Sequence, residues 1–228
     1  MPGVRLRLLW ACAELRRSVG TCSLPELLTL MKIVMRSQRM YACVAALVLI
    51  SFATPSFGQE DVFELDPAKT TVNFTLDATL HSVHGSFKAK SGSIRFNPQS
   101  GAASGKIEVD ATTAESGNDS RDQKMHKEVL ESEKYPEISF SPSKVVGKIV
   151  SGSNLQIEGT FRIHGADHSL TLSVPLVIRG DQVSAKFHFV VPYVEWGMKN
   201  PSTFVLRVGK EVSIDIVMAG HLNEVPSK

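Results

Sequence analysis

The sequence predicts an all-β domain of antiparallel strands, a sandwich or a closed barrel. Three observations carry this. Apolar and polar residues alternate at period two in run after run beyond residue 62. Gly, Asn, Ser and Asp turns separate the runs at short intervals. One short segment alone has helical spacing. Closure is favoured because it removes exposed strand edges.

The clearest run is 155–163. There Leu155, Ile157, Phe161 and Ile163 share one face, and Gln156, Glu158, Thr160 and Arg162 share the other. Val72, Phe74 and Leu76 make an earlier strand, and Ile107 with Val109 another. Leu170, Leu172, Val174, Leu176 and Ile178 follow, with Pro175 marking a bulge or an edge. Val183, Ala185, Phe187 and Phe189, then Val212, Ile214, Ile216 and Met218, complete the set. The helix is predicted to begin at Ser120, as cap, with Gln123 reaching back and Asp122 favoured by the helix dipole. Its stripe is Met125, Val129 and Leu130, and Tyr135-Pro136 stops the chain from continuing it.

Residues 1–58 read as a leader. Arg36 and Arg39 precede an apolar run from Met40 to Ala53, and small residues follow up to Gly58. The run is shorter than the roughly 20 residues that span a bilayer, so it predicts a cleaved signal rather than an anchor. The basic stretch ahead of it suggests a true start at Met31, Met35 or Met40. Residues 59–228 then form one domain, periplasmic or secreted and without a permanent membrane anchor. All three cysteines, Cys12, Cys22 and Cys43, lie in the leader, so the domain has neither disulfides nor thiolate metal sites. The basic excess also resides there. The remaining chain is slightly acidic and offers no basic patch for nucleic acid.

No catalytic signature is present: no nucleophile elbow, phosphate-binding loop, dinucleotide fingerprint or His-Glu-x-x-His. The sequence therefore reads as a binding protein without a cofactor, not an enzyme. His81 and His84, and His164 with His168 about Gly165-Ala166-Asp167, are the alternative, as ligands for a metal. A three-residue offset on a strand points two rings to opposite faces, which weighs against the first pair. The segment from Pro192 to Pro201 sets Trp196 and Met198 among turn residues, either as a plug over the core or as the entrance to an apolar cavity. An eight-stranded barrel is just wide enough to be filled by its own side chains or to hold one small ligand. Phe74, Phe87, Phe140, Phe161, Phe187 and Phe189 carry the same two readings. A filled barrel would make the domain an interaction module.

Phe63-Glu64-Leu65-Asp66-Pro67 with Val72 and Phe74, Val83-His84-Gly85-Ser86-Phe87, Gly92-Ser93-Ile94-Arg95-Phe96, Ser120-Arg121-Asp122-Gln123-Lys124-Met125, the run Lys134 to Phe140, and Gly159 to Gly165 follow one another in a set order and spacing. In that order they resemble the YceI-like family of polyisoprenoid-binding, lipocalin-like periplasmic proteins. Together they cover roughly Val62 to Gly220. The chain departs from the family's pattern at Val194-Glu195-Trp196-Gly197, where many relatives carry Arg and Asp before the aromatic. The resemblance implies an eight-stranded antiparallel barrel with one short helix near its mouth. It implies an apolar interior holding an isoprenoid lipid such as a quinone or polyprenyl chain, and no catalytic residues. The expected cavity residues are Phe74, Leu76, Phe87, Met125, Val129, Phe140, Phe161, Phe187, Phe189, Trp196 and Met198. Arg121, Lys124 and His126 on the helix are the expected contacts to a polar head. A homodimer sharing one long ligand stays open.

Overall fold

In the computed structural model the described residues are 60–79, 81–204 and 206–225, so the leader and its three candidate starts lie outside them. The strands are β1 (Glu60–Leu65), β2 (Thr71–Leu76), β3 (Val83–Phe96), β4 (Ala103–Glu115), β5 (Glu137–Val146), β6 (Asn154–Ile163), β7 (Ala166–Arg179), β8 (Gln182–Val191) and β9 (Val212–Val225). One helical segment, α1 (Asp119–Lys124), stands between β4 and β5.

These nine segments occupy eight lanes of a closed barrel. Both β1 and β2 pair with β3 on one side and with β9 on the other. They form a single lane, interrupted by a 3₁₀ turn at Pro67–Lys69. From there each strand pairs antiparallel with the next in sequence round to β9. The fold is thus the all-β, eight-stranded antiparallel barrel that the sequence and its resemblance predicted, with a single short helix.

Alternation decides what faces in. On β6, Leu155, Phe161 and Ile163 are buried, while Gln156, Glu158, Thr160 and Arg162 are exposed. The β6–β7 hairpin pairs Ile163 with Ala166, so the turn is only His164-Gly165. Both have positive φ, 51° and 76°, as a two-residue turn matching strand twist requires. Asp167 is therefore already in β7, where it meets Arg162 at 3.1 Å. Pro175 sits at neither a bulge nor an edge. It closes the β6 ladder opposite Asn154, and the β7–β8 ladder begins just after it, at Leu176. A residue without an N–H belongs at such a change of partner.

The interior divides into two clusters. Phe63, Leu65, Phe96, Leu155, Leu172, Val174, Leu176, Val183, Ala185 and Phe187 fill one end. Val72, Phe74, Ala111, Ile138, Phe161, Ile163, Val191, Tyr193, Met198 and Ile214 line the other. At the first end, aromatic rings occupy the space that glycines leave free. A Cβ on Gly220 would lie 2.2 Å from Glu64 O and 2.5 Å from the Phe63 ring. Gly220→Ala should therefore cost about 3 kcal/mol in chemical denaturation. Val177→Ala, at an exposed position, should stay within about 0.5 kcal/mol. Equal effects would show that this packing is not what excludes a side chain at Gly220.

Candidate functional site

At the second end the barrel opens into a cavity of about 420 Å³. Inward residues of the strands form its wall: Val72, Phe74 and Leu76 on β2, Val83 and Phe87 on β3, and Val109 on β4. Ile138, Phe161, Ile163, Phe189, Val191, Val212, Ile214 and Ile216 continue it round to β9. The Phe74 and Phe87 rings meet at 5.4 Å. Gly85 makes room for them, since a Cβ there would lie 2.2 Å from the Phe74 ring.

The helix and the segment before β9 form the rim. Asn118, not Ser120, caps α1, its side chain accepting from Arg121 N at 3.0 Å. After Lys124 the coil widens into a π turn, Met125–Val129, in which Leu130 N donates to Met125 O. Met125, Val129 and Leu130 all face the cavity. Glu131, with φ of 45°, ends the helix.

Cross-links hold this lid down. Lys124 Nζ donates to Pro201 O at 3.2 Å, and Lys199 meets Glu128 at 2.6 Å. The Tyr193 hydroxyl donates to Gly209 O at 2.7 Å, and burial pushes its pKa up to about 12. Pro201, Thr203, Leu206 and Val208, ahead of β9, close the circle.

Polar character is confined to the rim. Among the described residues lining the cavity, Arg121 and Lys124 are the only charged ones. Arg121 directs Nε to Ser116 Oγ at 2.6 Å and Nη2 to Ser116 O at 2.8 Å. Two of its five N–H donors are thus engaged, and the others remain for an anion. Asp122 supports this arrangement by accepting from both the Ser116 hydroxyl and the Ser116 N–H. Burial opposes ionisation of Asp122, but the Ser116 hydrogen bonds and nearby Arg121 outweigh it and hold the carboxyl below its ordinary value.

Of the sequence-predicted cavity residues, Phe74, Leu76, Phe87, Met125, Val129, Phe161, Phe189 and Met198 line it, as do Arg121 and Lys124 of the predicted head contacts. Phe187 belongs to the filled end, and Phe140 packs between the two clusters. Trp196 is not among the lining residues; it packs against the cavity-end cluster, with its ring centroid 4.0 Å from that of His168, stacked, and 5.8 Å from that of Phe161. The loop thus serves both readings, Met198 as wall and Trp196 as cover. His126 turns away from the cavity: Nε2 meets Ala114 O and Nδ1 meets Ser132 Oγ. Since a carbonyl only accepts, Nε2 carries the proton.

The candidate metal ligands are dispersed. His84 bonds Thr75 across strands, exposed His81 precedes β3, His164 packs on Tyr135, and His168 lies against Trp196. Among the described residues no three His, Cys, Asp or Glu converge as a metal site would need. The Nε2 of His164 is buried 3.5 Å from Glu131 Oε1 without a hydrogen bond, and the Nε2 of His168 is likewise unpartnered.

Alternation had already placed Val72, Ile163 and Ile214 on inward faces. Tyr193 was not singled out within its loop, and Thr203, Leu206 and Val208 escaped the sequence reading, because an irregular segment has no period to betray its inward side.

The site is thus an apolar cavity in an antiparallel barrel, roofed by a short helix and edged with two cations. The YceI-like domain family matches residues 63–219, and the chain belongs to that family. Two solved structures share the fold. BcnA of Burkholderia cenocepacia aligns with a TM-score of 0.56 at 17% identity, over 68% of this chain and 98% of that one. A polyisoprenoid binding domain from Saccharophagus degradans, implicated in plant cell wall breakdown, aligns with a TM-score of 0.56 at 15% identity, over 71% of this chain and 98% of its own. No curated protein matches the sequence.

The lowered Asp122 pKa makes a signed prediction. A depressed carboxyl contributes stability that is fully present above its ordinary value of 3.8 and is lost as pH falls through the lower folded-state value. Melting temperature should thus fall less steeply below pH 4 in Asp122→Asn than in the parent chain. An identical acid limb in the two proteins would remove Asp122 from the account.

Proposed function

We propose that the chain is an exported, non-enzymatic carrier that holds an isoprenoid lipid, a quinone or polyprenyl chain, in its barrel cavity. The observation that carries this is the composition of the cavity: an apolar wall contributed by seven strands and a helix, with cations only at the rim. Burial of each CH2 contributes about 0.8 kcal/mol, so such a wall retains a hydrocarbon chain without any directional contact. Nothing in it resembles a nucleophile with its base, which suits storage or transfer rather than chemistry. The relative from Saccharophagus degradans, described as a polyisoprenoid binding domain, supports the same class of ligand. Arg121 and Lys124 would meet a polar or phosphorylated head, and the leader would direct the carrier to the periplasm or beyond as a soluble product.

Native mass spectrometry on protein exported with its own leader, followed by solvent extraction, should reveal a co-purifying isoprenoid. Protein that stays free of lipid even after incubation with quinones and polyprenyl phosphates would overturn the reading. For the head contact, Arg121→Ala should weaken binding of a diphosphate-headed isoprenoid about tenfold and leave an uncharged one unchanged, a loss of about 1.4 kcal/mol. Equal affinities for both ligands before and after substitution would dismiss Arg121 from that role.

A further inference from the structure

We propose that the barrel mouth docks on an anionic phospholipid bilayer, with Phe204 as the side chain that enters the membrane. The inference rests on the isoprenoid-binding reading only for its purpose, the exchange of a lipid. Its observations come from residues outside the cavity wall.

Phe204 is 95% exposed, whereas the next most exposed large hydrophobic side chain among the described residues, Val150, is at 55%. A phenyl ring so placed gains nothing from the fold, and its burial elsewhere is among the larger gains one side chain can make. The turn that presents it is held at both ends. Thr203 N donates to Leu206 O at 2.8 Å, and Leu206 N donates to Thr203 Oγ1 at 3.1 Å. At the base of the turn Val208 N donates to Ser202 Oγ at 2.9 Å, and Asn200 Nδ2 to Val208 O at 3.3 Å. Thr203 and Leu206 line the cavity, and Phe204 does not. The ring therefore stands at the lip of the opening, next to its wall and directed away from it.

The size of this feature selects its occupant. A stable protein interface buries about 800 Å² on each partner. Phe204 follows exposed Thr203, and exposed Arg207 comes directly after Leu206, so the lip offers a ring and not an apolar patch of that extent. A bilayer accepts a single ring through area alone. Charge adds to this. Arg121 and Lys124 line the mouth, and Arg207 and Lys210 are exposed beyond Leu206. Of the carboxylates at this end, Asp122 is held by Ser116 and Glu128 by Lys199. Asp119, Glu195 and Glu211 are exposed there as well, so the electrostatic attraction is modest and the ring carries most of the affinity. One ring with a few cations gives weak, reversible association, which suits a carrier that must leave the membrane with its cargo.

The test uses protein recovered after export with its own leader, and phosphatidylcholine vesicles with and without about one-third phosphatidylglycerol. Phe204→Trp is compared with Val177→Trp, whose site is exposed between Leu176 and Ile178 of the filled end. With brominated acyl chains in the anionic vesicles, the emission added by Phe204→Trp should be quenched and that added by Val177→Trp should not. Phe204→Ser should lower vesicle association about tenfold, and Arg207→Gln about fivefold on anionic vesicles alone. Equal quenching at both positions, or none at either, would overturn the docking. So would unchanged association of Phe204→Ser, or a fall in its oligomeric mass, which would assign the ring to a second copy. Farnesol binding in detergent separates this outcome from the carrier reading. Phe204→Ser should bind farnesol as the parent chain does, and loss of that binding would put the ring in the ligand site and overturn the docking. A parent chain that binds no isoprenoid would overturn the carrier reading, with the quenching comparison still deciding the docking.

Discussion

Closure of the sheet is the constraint from which the rest follows. Because β1 and β2 share the lane between β3 and β9, every lane has two hydrogen-bonded neighbours, and no edge is left to satisfy. Closure also fixes the interior: with eight lanes the circumference is set, and side chains decide how much of the lumen stays open. The interrupted lane is part of that solution. Asp66 accepts from Ala68 N and the cap N–H of Thr70 returns to Pro67 O, so the chain steps out at the 3₁₀ turn without leaving its backbone groups unpaired there.

Side-chain volume is distributed unevenly along that lumen. At the filled end, glycines on β6 and β9 sit against Phe140 and Phe63, and small Ala185 faces large neighbours. At the open end the inward positions are mostly branched aliphatics, with Phe74 folded back over Gly85 against the wall. The same backbone therefore supplies a packed core, which stabilises, and a cavity, which binds. Tyr193, Met198, Pro201, Thr203, Leu206 and Val208 close the open end together with the helix, and hydrogen bonds from side chains to carbonyls, such as Tyr193 to Gly209 and Asn200 to Val208, hold this loop.

Much of this was legible in the sequence because strand burial follows a period. The faces of β2, β6, β7, β8 and β9 come directly from alternation, and with them cavity residues such as Phe74, Phe161 and Phe189. Which of these face a cavity and which a core is not written in the period. Phe187 and Phe189 are two residues apart on one face, yet only the second lines the cavity. That distinction depends on depth along the barrel axis, which follows from register and stagger between lanes. The helix shows a second limit. Its apolar stripe predicted the cavity-facing residues, but Asn118 and Ser120 are both good caps, and only the backbone geometry selects Asn118. His126 illustrates a third, since its helical position near Arg121 and Lys124 says nothing about the π turn or the bonds to Ala114 and Ser132.

The rim concentrates what polarity the site has, and that separation has an energetic reason. A cation inside an apolar cavity would carry a large desolvation penalty, whereas at the mouth it keeps water as well as a partner. Arg121 is half-buried and braced by Ser116, and Ser116 is in turn held by Asp122, so the guanidinium is oriented before any ligand arrives. Preorganisation of this kind reduces the entropy lost when an anionic head docks. Hydrocarbon and anion would therefore be read by different physics at different depths, area in the lumen and charge at its mouth.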